Sequence, residues 1–396
     1  MNKGAGSAAP SPATPKAPVL CFISRDAAWQ KYRYDILKRL ATRFRVSVRV
    51  LTTGNLGGHI HGDDDVRYVL FRSWLPQGWK ASLFPGALAY VFRYRPDAIL
   101  CLANLSQPTE ILALLASRLL GVRFVWWTHG YDHGVPRMGG LKARIWVLLY
   151  RWSDCVITFS PSGREYLIRK GLDATKVVCA PNTLDTVQLR ALARRTQRHH
   201  TREALAEEFG LDSHDRVLVF SGRLTARKKI EYAILAVASL VDRYPGIHLV
   251  LVGDGPAMGG LKRLAEEHLT GRCRFWGAVY DERILAKMLT LADIFLIPAS
   301  VGLAIVHAFS YGLPIITERS SLHGPEFEYF REGYNGLTYE KDSVNDFADK
   351  IACLLGDESL RLRLSRNAAL TVEEEASVET MVAQMSRALG LQKAEV

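Results

Sequence analysis

Two basic residues beside a glycine offer the clearest chemistry in this sequence. The segment Phe220-Ser221-Gly222-Arg223-Leu224, followed by Lys228, comes after an apolar run and precedes a helical pattern. Gly222 would let a ligand approach the backbone, while Arg223 and Lys228 would place two positive charges beside a helix N-terminus. Such a site suits a diphosphate and can stabilise the charge of a diphosphate leaving group. Alone, this motif is more often a turn with solvated basic side chains.

The motif is the first of an ordered series in the second half of the chain. Each later member joins an apolar run to a turn that contains glycine or proline, as expected where a buried strand ends. The later members are Leu249–Pro256, Arg274–Val279, Leu291–Pro298 leading into Val301–Pro314, and Glu332–Leu337. In the first half, Trp127-Thr128-His129-Gly130 has the same character.

The elements that must position these residues are strands alternating with helices along the whole chain. This alternation predicts βαβ units, and therefore parallel sheets with helices on both faces. The predicted strands are Val19–Ser24, Val46–Leu51, Val66–Phe71, Ala98–Leu102, Phe124–Thr128, Cys155–Phe159, Val177–Ala180, Val217–Ser221, His248–Val252, Arg274–Trp276, Ile294–Pro298 and Pro314–Thr317. The pattern restarts after a polar stretch, Arg194–Arg202.

We therefore predict an α/β protein with two doubly wound, Rossmann-like domains that face a cleft at the carboxyl ends of their strands. The predicted parts are a disordered leader over residues 1–16, a first domain over 17–190, a second domain over 191–375, and a C-terminal helix within 376–396 that could cross back to the first domain.

The motif series resembles the retaining, nucleotide-sugar-dependent glycosyltransferases of the family 4 type, which have the GT-B fold. Ala180-Pro181-Asn182-Thr183-Leu184-Asp185 is similar to the turn through which that family enters its second domain. The resemblance covers residues from about 175 to 340. Over the first domain it consists of the fold pattern and the turn at His129. The resemblance implies that the first domain binds the acceptor and the second domain binds the nucleotide-sugar donor.

The resemblance implies that Gly222 approaches the donor, and that Arg223 and Lys228 bind the donor diphosphate. Lys229 stands where the family usually has glycine. It would either add a third positive charge or be exposed, and we favour exposure. The segment Phe275-Trp276-Gly277-Ala278-Val279 would line the nucleotide base through backbone groups and one aromatic face. The alternative for Trp276 is packing at the edge of the sheet.

The largest departure concerns a pair of glutamates that the family places eight residues apart. Alignment on Gly302 and Gly312 puts Ala299 and His307 at these positions. A V-G-L…H-A pattern resembles a subset of the family, in which Gly302, Leu303 and His307 would contact the donor. His307 could bind a ribose hydroxyl, although a lone helical histidine is more often structural. Ala299 has no polar side chain, so we hypothesise that a carboxylate of Gly324-Pro325-Glu326-Phe327-Glu328, Glu326 first, compensates.

His129 follows a predicted strand, and the resemblance implies that it lies near the reacting sugar and hydrogen-bonds it. In retaining transfer of this type the departing diphosphate oxygen is thought to accept the proton of the acceptor. The protein would then contribute positioning and charge stabilisation. Neither a metal nor another cofactor is expected. Asp63-Asp64-Asp65 is interpreted as a loop between strands rather than a metal site.

Charge is unevenly distributed in this chain of net charge +11. Residues 1–190 contain 26 Lys and Arg against 12 Asp and Glu, whereas residues 191–396 contain 25 against 28. The basic half would face an anionic membrane, a phosphorylated acceptor or nucleic acid. Aromatic and basic residues mix over residues 74–95 and 144–152, which favours a membrane surface, although buried aromatics beside solvated arginines would look the same.

No apolar run of about 18 residues occurs, so no transmembrane helix is predicted. Six scattered cysteines without a C-x-x-C pair indicate a reduced, cytoplasmic protein. We expect it to lie on the inner face of the cytoplasmic membrane. No nucleic-acid-binding module is recognisable, so no nucleic acid partner is expected.

The sequence therefore predicts an enzyme that moves a sugar from a nucleotide-sugar donor to a lipid-linked or saccharide acceptor. The family suggests synthesis of bacterial lipopolysaccharide, capsule or exopolysaccharide, with retention of configuration. Two alternatives stay open. One is a catalytically silent GT-B scaffold or binding protein, suggested by the missing glutamates, and the other is a GT-B nucleotide-sugar epimerase.

Overall fold

The computed structural model describes residues 17–53, 63–75, 81–103, 107–130, 140–320 and 323–391. The predicted leader over residues 1–16 lies outside this part of the chain. The described residues form two sheets in which every strand pairing is parallel. The predicted two-domain, doubly wound architecture is therefore confirmed.

The first sheet has seven strands in the order β3-β2-β1-β4-β5-β6-β7. Its strands are β1 (Val19–Asp26), β2 (Ser47–Thr53), β3 (Val66–Phe71), β4 (Ala98–Leu102), β5 (Arg123–Thr128), β6 (Cys155–Thr158) and β7 (Val177–Cys179). The helices between them are α1 (Ala27–Phe44), α2 (Pro85–Tyr94), α3 (Pro108–Leu120), α4 (Leu141–Trp152) and α5 (Pro161–Arg169).

The second sheet has six strands in the order β10-β9-β8-β11-β12-β13. Its strands are β8 (Arg216–Ser221), β9 (Ile247–Val252), β10 (Cys273–Gly277), β11 (Ile294–Ile297), β12 (Ile315–Glu318) and β13 (Gly336–Tyr339). The remaining helices are α6 (Thr186–His199), α7 (Arg202–Glu208), α8 (Ile230–Ala238), α9 (Met258–His268), α10 (Glu282–Leu291), α11 (Ala304–Ser310), α12 (Val344–Gly356), α13 (Glu358–Glu374) and α14 (Val378–Leu389).

One strand was missing from the sequence prediction, which lists five strands in the second half. β13 pairs with β12 at the edge of the second sheet. It has four residues, starts with a glycine and contains a single β-branched residue, so its local pattern is weak. The central strands do show that signal, because β4 and β11 are covered on both faces and are apolar throughout.

The last helix returns to the first domain after the second domain has ended. Met381 and Met385 of α14 are fully buried in the core between the first sheet and α1. Arg123 Nε of β5 also donates a hydrogen bond of 2.8 Å to the Ala388 carbonyl. The predicted boundary between residues 190 and 191 falls inside α6, whose residues Leu189 and Ala193 belong to a second-domain core.

No helix among the described residues has the length and apolar character needed to cross a membrane.

Candidate active site

The order in which the chain adds strands to the second sheet reverses between β8 and β11. Such a switch point leaves a crevice at the carboxyl ends of the strands. The loop after β8 carries Arg223 and Lys228, and the loop after β11 carries Ser300 to Gly302. Lys228 Nζ donates a hydrogen bond of 2.7 Å to the Ser300 carbonyl. The predicted diphosphate-binding lysine therefore bridges the two loops that border the crevice.

Glycine is required at this edge because three loops pack backbone to backbone. Gly222 N donates to the Val252 carbonyl at 2.9 Å, and Gly253 N donates to the Gly277 carbonyl at 2.7 Å. A Cβ atom on Gly253, whose φ is 140°, would lie 1.8 Å from the Gly222 carbonyl oxygen. A larger residue at 253 would force the loops after β8 and β9 apart.

The two predicted cations differ in environment. Arg223 is exposed, whereas Lys228 is half-buried. Burial, followed by the positive charge of Arg227, lowers the pKa of Lys228, and the Glu326 carboxylate acts in the opposite direction. A cation in a partly desolvated position interacts more strongly with an anion than an exposed cation does.

Lys229 is not exposed, contrary to the sequence expectation. Its Nζ donates hydrogen bonds to the carboxylates of Glu318 and Asp342, which leaves it no role as a third diphosphate cation. The residue has a φ of 48°, in the left-handed region that favours glycine. This geometry explains why glycine is usual at the position.

The side chains predicted to line the nucleotide base contact other parts of the second domain. Phe275 lies against a second-domain core beneath Lys262, and Trp276 meets the Phe209 ring edge-on at 5.3 Å. Val279 packs against the other core. Of this segment, Gly277 reaches the loops described above, through its carbonyl group. Recognition of a base by backbone groups here stays a prediction.

The loop after β11 is held by a histidine that the sequence analysis did not select. Val301 N donates a hydrogen bond of 3.1 Å to His323 Nδ1. Because Nδ1 accepts, Nε2 carries the proton and donates to the Glu318 carbonyl at 3.0 Å. Gly324 N also donates to the Val301 carbonyl at 2.8 Å. These bonds fix the backbone that leads into Gly302.

Leu303 and His307 belong to the same loop and the following helix, α11. Leu303 packs partly against the core. His307 Nε2 lies 3.6 Å from a carboxylate oxygen of Glu282, and no described residue forms a hydrogen bond with that nitrogen. The structure thus directs the imidazole towards the start of α10. A ribose-binding role for His307 stays a prediction.

Glu326 lies where the two domains meet. It is 6% exposed, and Asn182 Nδ2 of the first-domain side donates a hydrogen bond to its Oε1. Burial raises the pKa of Glu326, while Asn182 and the charges of Arg33 and Lys228 counteract that shift. Glu328, on the same 3-10 turn (Pro325–Tyr329), accepts hydrogen bonds from the hydroxyl and backbone N–H of Ser162 at the start of α5.

His129 forms the first-domain side of the cleft. It is exposed after β5, and its ring centroid lies 4.5 Å from that of Phe159. Its backbone packs against α5 so closely that a Cβ on Gly163 would lie 2.4 Å from the His129 carbonyl oxygen. The structure therefore brings together Lys228, Glu326 and an adjoining aromatic surface of the first domain that includes Phe159.

In the described part of the chain, no three His, Cys, Asp or Glu side chains are grouped so that they could hold a metal ion. Asp63 and Asp65 both pair with Lys38. Metal-independent chemistry stays a prediction.

The fold has two doubly wound sheets, with a basic loop at the switch point of the second sheet. Comparison of the sequence with known protein families shows the class of enzyme to which the chain belongs. The family described as "Glycosyl transferases group 1" matches residues 201–371, and the "Glycosyl transferase 4-like domain" matches residues 29–183. The chain belongs to the GT-B glycosyltransferases of the family 4 type.

Individual relatives support this assignment. The chain is 34% identical over 175 residues to the lipopolysaccharide core biosynthesis glycosyltransferase LpsE of Rhizobium meliloti, covering 43% of this chain and 46% of LpsE. It is 26% identical over 267 residues to the alpha-D-kanosaminyltransferase of Streptomyces kanamyceticus, covering 64% of this chain and 67% of that enzyme. The alignment with LpsE thus spans less than half of that relative.

Among solved structures, Anabaena HepE in complex with UDP superimposes with a TM-score of 0.71 at 19% identity. The match covers 94% of this chain and 99% of HepE. This similarity shows a shared fold over both domains.

Proposed function

We propose that this protein transfers a sugar from a nucleotide-sugar donor to a lipid-linked or saccharide acceptor, with retention of configuration, in the assembly of bacterial surface polysaccharide. The observation that carries the proposal is Lys228, which bridges both loops at the switch point of the donor domain. LpsE is described as an enzyme of lipopolysaccharide core biosynthesis, and HepE has been crystallised with UDP and with UDP-glucose. UDP is therefore the first nucleotide to test.

In this proposal Arg223 and Lys228 stabilise the charge that develops on the departing diphosphate. The diphosphate oxygen accepts the proton of the attacking hydroxyl, so the chain supplies positioning and no general base. Glu326 accepts a hydrogen bond from a hydroxyl of the donor sugar, as the first family glutamate would, and His129 binds the same sugar from the first domain. Unchanged affinity of Glu326→Ala for the donor would remove this role for Glu326.

The donor site can be tested with the purified protein and a panel of UDP, GDP, dTDP and their sugar conjugates. A nucleotide that binds the folded state raises the melting temperature. We expect a selective shift that the Arg223→Ala/Lys228→Ala double variant loses. Arg227→Ala, which removes an exposed cation from the same loop, is the matched control and should keep the shift. If millimolar nucleotide leaves wild type unshifted, the silent scaffold becomes the better interpretation.

We also propose that the first domain rests on an anionic membrane on the cytoplasmic side, where a lipid-linked acceptor would lie. Helices α2, α3 and α4 pack on one face of the first sheet through their buried sides. Their outer sides expose apolar side chains, at i, i+3 and i+7 in both α3 and α4, namely Phe92, Tyr94, Leu112, Leu115, Leu119, Ile145, Leu148 and Trp152. Exposed arginines interleave with them, namely Arg93, Arg95, Arg118, Arg144 and Arg151. Apolar residues bordered by cations suit the interface of an anionic bilayer.

Sedimentation with liposomes tests this surface. We expect wild type to pellet with phosphatidylglycerol-containing vesicles at low salt and to be released at high salt. Leu115→Asp/Leu119→Asp on α3 should stay in the supernatant. Leu362→Asp, at an exposed leucine of the second domain, is the control and should pellet. Equal sedimentation of both variants would contradict the assignment of this surface.

A further inference from the structure

Arg33 is a buried cation that contacts two aromatic rings. Its side chain extends from α1 and is 7% exposed. The guanidinium carbon lies 3.8 Å from the centroid of the Trp127 ring and 5.1 Å from that of Phe159. Phe159 in turn contacts His129. Arg33 therefore lies over two aromatic rings of the first domain, and one of these rings contacts the predicted sugar-binding histidine.

The described residues do not satisfy this guanidinium. None of them supplies a hydrogen-bond acceptor to its nitrogens, although an arginine carries five N–H donors. Burial lowers the pKa of Arg33 to about 10, with the Glu326 carboxylate acting in the opposite direction. The group stays charged at neutral pH. A buried charge without hydrogen bonds is destabilising, so such a position is typical of a binding site awaiting a partner.

Glu326 is not the missing partner. Its Oε1 accepts a hydrogen bond from Asn182, and its charge is shared electrostatically between Arg33 and Lys228. The local charge therefore remains positive, with two cations around one carboxylate. Lys228 belongs to the loop assigned to the donor diphosphate, whereas Arg33 stands on the opposite domain, the one that faces the acceptor in the proposed function.

We propose that Arg33 binds a negatively charged group of the acceptor, a carboxylate or a phosphate, which lies on the first-domain side of Glu326. The planar fork of a guanidinium matches either anion with two parallel hydrogen bonds. Contact with Trp127 and Phe159 restricts the guanidinium before any ligand binds. Glu326 separates this anion from the donor diphosphate, so each of the two binds its own cation. The inference rests on the proposed function, because it takes the first domain as the acceptor domain.

The test uses glucose 6-phosphate, glucuronate and neutral glucose as probes, with and without saturating UDP, and follows melting temperature and affinity. We expect at least one anionic sugar to bind wild type more tightly than glucose. Arg33→Gln should weaken that binding by about tenfold or more, the effect of losing a charged hydrogen-bonding pair. Arg43→Gln, at an exposed arginine of the same helix, should bind like wild type.

A phosphate-only or carboxylate-only response identifies the anion and supports the inference. The inference is overturned if no anionic sugar binds better than glucose, or if Arg33→Gln retains the preference. UDP binding by Arg33→Gln reports that the variant is folded and the donor site intact. Failure of wild type to bind any nucleotide contradicts the proposed function instead, and the arms without UDP still test Arg33.

A purely structural role, in which Arg33 only neutralises Glu326, makes a different prediction. In that case Arg33→Gln/Glu326→Gln, which removes both charges, would recover the anion binding lost in Arg33→Gln. We expect the double variant to recover thermal stability without recovering a preference for anionic sugars.

Discussion

At the scale of single residues, His323 holds the loop after β11 by accepting a hydrogen bond at Nδ1. This nitrogen can accept only while the imidazole is neutral. Val301 N donates to Nδ1, and protonation would remove that lone pair. Burial lowers the pKa of His323 below its ordinary value of 6.5, and the positive charge of Lys228 contributes to the same shift. The sequence did not indicate this residue because Val301 is 22 positions away and nothing local marks the pair.

This pKa shift sets the sign of a pH effect on stability. The unfolded state takes up the His323 proton more readily than the folded state, so the contribution is full above the ordinary pKa of about 6.5 and is lost as pH falls towards the lower folded value. We expect the free energy of unfolding to decline more steeply between pH 7 and 5 in wild type than in His323→Asn, whose side-chain oxygen can accept from Val301. Urea denaturation at several pH values measures this, and identical pH profiles would contradict it.

At the scale of elements, the segment Glu332–Leu337 builds an edge of the second sheet. Asn335, which is fully buried, accepts from Arg331 N at 2.8 Å and donates to the Tyr329 carbonyl at 2.8 Å and to Thr371 Oγ1 at 3.0 Å. These bonds join the 3-10 turn, the start of β13 and α13. The same turn carries Glu326 and Glu328 to the first domain, so this asparagine supports the site without touching it.

Replacement of Asn335 by alanine should therefore affect stability and leave ligand binding intact. Three hydrogen bonds are lost, two of them to the buried residues Tyr329 and Thr371, and we expect the free energy of unfolding to fall by about 2–4 kcal/mol. Asn367→Ala, which removes one exposed hydrogen bond to the Tyr334 carbonyl, is the matched control with an expected loss of about 1 kcal/mol or less. Urea denaturation gives both values, and equal losses in the two variants would show that Asn335 has no special role.

At the scale of the whole molecule, α14 ties the end of the chain to its beginning. The helix packs on the first sheet. Two hydrogen bonds hold the segment at its start, from Thr183 Oγ1 to the Ala376 carbonyl at 2.5 Å and from Val378 N to Thr186 Oγ1 at 3.1 Å. Together with the contacts of Glu326 and Glu328, this arrangement joins the two domains. We expect the two domains to unfold in one transition.

Met385 provides the corresponding prediction. Its side chain is fully buried in the first-domain core, so Met385→Ala leaves a cavity and should lower the free energy of unfolding by about 2–5 kcal/mol. Arg387→Ala, at an exposed residue of the same helix, should change the free energy of unfolding by about 0.5 kcal/mol or less. Urea denaturation followed by tryptophan fluorescence measures both values. An unaffected variant would mean that α14 does not stabilise the first domain.

By itself the sequence determined the fold class, the family and the loops of the donor domain. A strand buried on both faces needs a run of apolar residues, and a turn at a close backbone contact needs glycine. Both requirements act on a few consecutive residues, so the local sequence shows them. The sequence did not predict β13, because a four-residue edge strand has too short a pattern to be recognised. The tertiary structure alone decided which residues meet across the cleft. Arg33 and Glu326 are almost three hundred positions apart, and only the folding of both domains, closed by α14, makes them neighbours.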